Sequence, residues 1–311
     1  MSSEIHRENG YGRRPAGRRS LLLSGAFAGL GLTGLTGLTT ACSRVSTADT
    51  KDGGNLLERL RRQGTVRLGI AGEIPFGYID KDGELTGEAP ELARIIFKRL
   101  GVPGVQPVPT EFGSLIPGLN SQQFDVISAG MFINPERCRQ VLFADPDYEV
   151  LDAFIVRKGN PKKLRTYADV KKAGAKFASG AAYAEIDYAV DAGIPRGEIS
   201  VYPDQLAGLL AVEQGRADVF AGTSLTVRKV IEQTRSRKAE MTEPFLPEVG
   251  GKPAHGAGGF AFRPGETRLR DAFTAELHRM KKSGELLRVV GPFGFTKTEM
   301  TGLTAQRLCA S

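Results

Sequence analysis

The stretch Thr110–Cys138, TEFGSLIPGLNSQQFDVISAGMFINPERC, decides how the rest of the chain is read. Leu115, Ile116 and Leu119 fall on one helical face, and Ser114 stands where it can cap a helix running through Asn120. Phe124–Ala129 is a short apolar run that predicts a buried strand, and Gly130 follows it at once. In open α/β sheets, ligands lie beyond the carboxyl ends of strands. Gly130, Phe132 and Arg137 are therefore expected in a binding loop after that strand, with Phe112 on the loop before the helix. A glycine lets a backbone approach its neighbour closely. The planar fork of an arginine such as Arg137 suits a carboxylate.

Working outward, Thr65–Ala71 reads as a strand whose following loop, Gly72–Phe76, carries Glu73 and Phe76. Tyr78–Leu85 predicts a hairpin turned at Asp82-Gly83. Glu88–Leu100 predicts a helix and Val105–Pro109 a second strand. Beyond Arg137 the same logic returns. Ala153–Val156 is a strand, Lys176–Ala178 another, and Ser179–Ala182 is expected to open a helix whose N–H groups could receive a carboxylate. Asp-Val at 218–219 echoes Asp-Val at 125–126, each after a helix and a short loop. Gly258–Phe262 is a strand returning to the first half, and Arg268–Lys282 is a long helix. The sum is an α/β chain of two similarly built lobes with two crossings between them, an architecture that closes around ligands.

The 311 residues suffice for two domains, and 25% charged residues is ordinary for a globular chain. Of the net charge of +7, residues 1–41 carry +3 from five Arg and two acids, which leaves the remainder a mild surplus of +4. The run Arg235–Lys238 has no interleaved aromatic and reads as a solvated loop; no nucleic-acid partner is expected. Arg18-Arg19 before an uncharged run to Thr40 reads as an export signal over 1–41, by the twin-arginine or the Sec route. Leu38–Cys42 resembles a lipobox, which implies lipidation at Cys42 and a membrane anchor; the alternative is a signal cut nearby. Residues 42–55 read as a flexible tether. A disulfide between Cys138 and Cys309 is open to an exported protein, but two cysteines make no framework, and two unpaired thiols are expected, Cys138 packed under the site loop and Cys309 in a loose tail over 301–311. No CxxC and no histidine cluster are present, so neither a metal nor a cofactor is expected.

In their order, these pieces resemble the extracellular solute-binding proteins of ABC importers, in their amino-acid-binding branch. The likeness spans about residues 56–299 and rests on LIPGL, FDVISAG and PERC in combination. It implies a two-lobed, type II periplasmic-binding-protein-like fold with two hinge crossings. Lobe 1 comprises 56–149 and 251–300, and lobe 2 comprises 150–250. Within the branch, GEAPELAR at 87–94, AGMFINPERC at 129–138, GGFAFRP at 258–264 and KKSGELLRVVGPFGFT at 281–296 resemble ectoine/hydroxyectoine-binding proteins. By that resemblance Phe76, Phe112 and Phe132 form an aromatic box, Arg137 takes a carboxylate, Gly130 offers backbone, and Glu73 accepts ring N–H groups. Thr223 stands where amino-acid binders commonly carry an Asp for the α-ammonium. Ala182 stands where a Thr is common, which removes one carboxylate hydrogen bond. Tyr183 and Tyr188 are expected to pack on helix faces.

The function implied is capture of a small zwitterionic compatible solute by a monomeric lipoprotein, for delivery to an ABC permease and its ATPase. A polar amino acid is the alternative ligand. A cyclohexadienyl dehydratase-like enzyme on the same fold is the alternative activity, and it would rest on Glu73 alone, since no second acid–base group accompanies it. A receptor-coupled sensor is a third reading.

Overall fold

The computed structural model describes residues 56–310; the paired arginines, the apolar run, Cys42 and the tether lie outside the described residues. Two mixed sheets, built on one plan, organise the described chain. The first runs β4–β1–β5–β15–β6, with β7 also on β15, where β1 is Thr65–Ile70, β4 Gly104–Pro109, β5 Val126–Phe132, β6 Leu142–Phe143, β7 Tyr148–Val150 and β15 Gly256–Phe262. The second runs β10–β9–β11–β8–β12, where β8 is Asp152–Arg157, β9 Phe177–Gly180, β10 Ser200–Tyr202, β11 Val219–Thr223 and β12 Ala239–Met241. Two short ribbons accompany them: β2 (Tyr78–Ile79) with β3 (Leu85–Thr86), and β13 (Glu248–Val249) with β14 (Lys252–Pro253). In each main sheet, three parallel strands meet one antiparallel strand, β15 in the first and β8 in the second. This is the two-lobed type II fold expected above.

The lobes connect where the chain leaves one sheet for the other. Only Leu151 separates β7 of the first sheet from β8 of the second, and the return lies between Met241 and Gly256. Asp152 and Phe245 bridge these two crossings. Strands buried on both faces are apolar along their length. β5 and β15 fit this, with nearly every residue buried. Leu92, Ile96, Phe97, Phe273 and Leu277 cover one face of the first sheet, and Leu115, Leu119 and Phe124 belong to the cluster on the other.

Several expectations change. β5 begins at Val126 and runs to Phe132, so Gly130 and Phe132 lie within a strand instead of on a loop after it. Gly130 has φ of +61°, and pairing with β15 shifts register between Gly259 and Ala261, so the strand bends through the glycine without ending. Ser114 closes a 3₁₀ turn, Phe112–Ser114, and its side chain makes no cap to the helix Leu115–Asn120. No helix opens at Ser179–Ala182. β9 continues to Gly180, Ala182 adopts φ of +61°, and the helix is Ala184–Asp191.

The tail is not loose, and its cysteine is not free. Ala305–Ala310 is helical, with Leu308 buried, and Cys309 is disulfide-bonded to Cys138. The bond ties the tail to the short helix that carries Arg137. Nothing in the sequence spacing indicates a pairing across 171 residues.

Candidate functional site

Each functional side chain sits at the carboxyl end of a parallel strand, where side chains from successive βα connections converge. Glu73 and Phe76 follow β1, Phe112 follows β4, Gly130 and Phe132 end β5, and Arg137 lies in the helix Pro135–Cys138. The Asn134 side chain caps that helix by accepting from the Arg137 backbone N–H at 2.9 Å, which fixes where the guanidinium leaves the chain. From the other sheet, Tyr183, Ala184 and Glu185 follow β9, and Thr223 ends β11. All ten line one cavity of about 20 Å³, room for a single water. The lobes therefore meet across the cleft.

The groups at this meeting are charged or hydroxyl-bearing. Glu73 is buried; its Oε2 accepts from the Tyr183 hydroxyl and its Oε1 from the Thr226 hydroxyl, each at 2.8 Å. Thr223 donates in turn to Thr226 at 2.9 Å, while its own oxygen accepts from the Thr226 backbone N–H at 3.1 Å. Burial pushes the Glu73 carboxyl above its ordinary range, and these two hydroxyl donors pull against that. A carboxylate offers about four lone-pair sites, so two remain for a ligand's N–H groups. The Arg137 guanidinium donates to Phe132 C=O at 2.8 Å and to Ala182 C=O at 3.0 Å. These engage two of its five N–H donors, and its guanidinium carbon stands 5.4 Å from the centre of the Phe112 ring.

The rings are held from behind. Phe76 stacks on Tyr148 at 5.1 Å, and Tyr148 donates to Gly130 C=O at 2.6 Å. A Cβ on Gly130 would come within 2.4 Å of the Phe76 ring, so only glycine admits both the ring and the bend. Phe112 meets Tyr183 edge-on at 5.3 Å across the cleft.

The structure thus brings Glu73, Phe76, Phe112, Gly130, Phe132, Arg137 and Thr223 together. Tyr183, expected only to pack on a helix face, instead donates to Glu73. Its signal was present as a tyrosine just beyond a strand-end glycine. Tyr188 does pack against Tyr167, at 6.1 Å. Glu185 and Thr226 escaped sequence reasoning, because an acid and a threonine in the first turn of a helix are also ordinary helix-start residues.

Comparison with known proteins gives the family. The model of bacterial extracellular solute-binding proteins, family 3, matches residues 66–294. A probable amino-acid ABC transporter periplasmic-binding protein of Sinorhizobium fredii is 32% identical over 261 residues, covering 82% of this chain and 86% of that one. An L-cystine-binding protein of Escherichia coli is 26% identical over 232 residues, covering 74% and 83%. The crystal structure of EhuB in complex with hydroxyectoine superposes with a TM-score of 0.76 at 38% identity, covering 83% of this chain and 98% of that one. The ancestral amino acid-binding protein AncCDT-1, described as a precursor of cyclohexadienyl dehydratase, gives 0.66 at 27% identity, covering 76% and 98%. The chain therefore belongs to the bacterial extracellular solute-binding proteins, family 3, as the exported small-molecule-binding component of an ABC importer with a permease for partner.

Proposed function

We propose that the cleft takes a zwitterion with a delocalised ring cation, of the ectoine or hydroxyectoine kind, and hands it on unchanged. The observation that carries this is one small cavity holding a buried acid, a buried arginine and three phenylalanines. Glu73 suits two N–H donors of an N–C–N unit. Phe76, Phe112 and Phe132 suit the spread charge of that unit over their faces. Arg137 suits the carboxylate. Thr223 spends its hydroxyl on Thr226, so position 223 offers no anion to a primary ammonium. The likeness to EhuB, whose structure holds hydroxyectoine, points the same way.

The test is titration calorimetry of the mature protein against ectoine, hydroxyectoine, glutamine, arginine, histidine and cystine. Ectoine or hydroxyectoine should bind at least ~100-fold tighter than any amino acid, a difference of about 2.7 kcal/mol. A standard amino acid binding more tightly than both overturns the ligand. Prephenate and arogenate added to the same preparation should yield no product; turnover of either overturns the binding-only reading and favours the dehydratase. We further propose that Cys42 carries the lipid anchor, since it follows the paired arginines and the apolar run. Cys42→Ala should then release the protein from membranes, and a variant that stays membrane-bound removes the anchor from this account.

A further inference from the structure

Glu185 lines the same cavity as Glu73 and Arg137 but has so far been given no role in it. It is only 2% exposed. No other residue among those described donates a hydrogen bond to its carboxyl. Resting on the reading of the cleft just given, we propose that Glu185 is a ligand-contacting residue of the second lobe, donating its O–H to the solute's carboxylate beside Arg137.

A count of charges supports this. Arg137 is the only cation among the cavity's lining residues, whereas Glu73 and Glu185 are both acids. A zwitterion brings one charge of each sign, matched by Glu73 and Arg137. An ionised Glu185 would leave one buried negative charge without a partner, and buried carboxyls avoid that by keeping their proton. The groups facing Glu185 act in that direction. Asp152 of β8 and Glu73 across the cleft raise its proton affinity beyond what burial does, and Arg137 offsets this only in part. The hydroxyls of Tyr167, Tyr183 and Tyr188, each pushed up partly by Glu185, stay neutral, and Asp187 is the remaining acid facing Tyr188 and Arg137. A protonated carboxyl has one donor, and the solute's carboxylate on Arg137 is the acceptor that lacks one. Ala182, at the end of the β9 connection, has no hydroxyl to supply it. Glu185, three residues on, does so from the first turn of the helix Ala184–Asp191.

The experiment titrates ectoine into the wild type, Glu185→Ala and Glu185→Gln at about pH 6.5 and about pH 9. Glu185→Ala should weaken binding about 5- to 150-fold, the range for leaving a buried acceptor short of its donor. Glu185→Gln keeps an N–H donor of similar shape and should recover most of that loss, to within about 3-fold. Wild-type affinity should fall as pH rises, and the fall should shrink in Glu185→Gln. Unchanged affinity in Glu185→Ala overturns the contact. Glu185→Gln as weak as Glu185→Ala, at equal melting temperature, overturns the donor. If Glu185→Ala does not fold, a pH-dependent fall that survives in Glu185→Gln overturns the proposal instead. Should the wild type prefer an amino acid to ectoine, the solute reading fails by itself. The same ratios, measured with that amino acid, then decide the part of Glu185.

Discussion

In lobe 1 the ring of Phe76 lies over Gly130, and in lobe 2 the ring of Tyr183 lies over Gly180, where an added Cβ would come within 2.7 Å of it. Both lobes thus build their wall of the cleft by laying an aromatic side chain across a glycine near a strand end. What they place beside it differs. Lobe 1 supplies a fixed pair of opposite charges, Glu73 and Arg137, and two further phenylalanines. Lobe 2 supplies hydroxyls from Tyr183, Thr223 and Thr226, together with Glu185. On the function proposed above, the contrast gives them different work: lobe 1 would recognise the ends of a zwitterion, and lobe 2 would complete hydrogen bonds to those ends as the lobes meet.

The largest test of that division lies in lobe 1. Arg137→Ala should weaken binding of the panel's tightest ligand by about 2–5 kcal/mol, ~30-fold to several thousand-fold, because it strands the partner charge in a desolvated site. Calorimetry reads this directly. Unimpaired binding would mean that lobe 1 does not hold the carboxylate, and the division between the lobes would collapse.

The two lobes also differ in how much of them the sequence disclosed. Glu73, Phe76, Phe112 and Arg137 stand on connections that the hydrophobic periodicity marked out, so their places beyond strand ends were legible in the residues, while their grouping into one site came from the family resemblance. Gly130 and Phe132 were placed in the right region but on a loop, because a glycine after an apolar run reads as a stop. The bend through φ of +61° that lets β5 continue is a three-dimensional accommodation of Phe76. In lobe 2 the helix was placed too early, since Ser-Gly-Ala-Ala at 179–182 carries no signal distinguishing a helix start from a strand end followed by a left-handed Ala182. That misplacement hid Tyr183 and Glu185. The tail was misread for a related reason: a disulfide to Cys138 orders a segment whose composition alone looks unconstrained.

A smaller effect tests whether lobe 2 carries protonated acids behind its wall. Asp152, fully buried where the chain enters β8, accepts from the Tyr167 hydroxyl at 2.5 Å, yet burial still pushes its carboxyl from 3.8 to about 7. An acid raised in the folded state binds more protons there than in the unfolded chain. Its contribution to stability is therefore present at low pH and is lost as pH rises through about 7. Asp152 alone should make the fold roughly 1–2 kcal/mol more stable at pH 6 than at pH 8. Glu185 in lobe 2, and Glu88 with Asp147 in lobe 1, are also raised and slope the same way. Urea unfolding at the two pH values measures the slope, and Asp152→Asn should reduce it by about that amount. A wild type more stable at the higher pH, or a variant with the full slope, would show that Asp152 is ionised in the fold.

The smallest expected effect probes the hydroxyls of lobe 2. Tyr183→Phe keeps the ring edge-on to Phe112 and flat over Gly180, and removes only the donor to Glu73. Glu73 would retain the Thr226 hydroxyl on its other oxygen. If the tyrosine hydroxyl stays on Glu73 when solute binds, it steadies the ionised form that takes the ligand's N–H groups. Its loss should then cost about 1 kcal/mol, or ~5-fold in affinity, the net worth of one hydrogen bond. If instead the solute displaces it, the hydroxyl is a competitor for the same lone pairs, and Tyr183→Phe should bind more tightly than the wild type. Calorimetry on the variant separates the two by the sign of the change. We expect weakening, because Glu73 has acceptor sites for both the hydroxyls and a ligand, and because desolvating it without Tyr183 would push its carboxyl further toward the neutral form. Tighter binding would turn lobe 2 from a set of completing donors into a plug that the solute must dislodge.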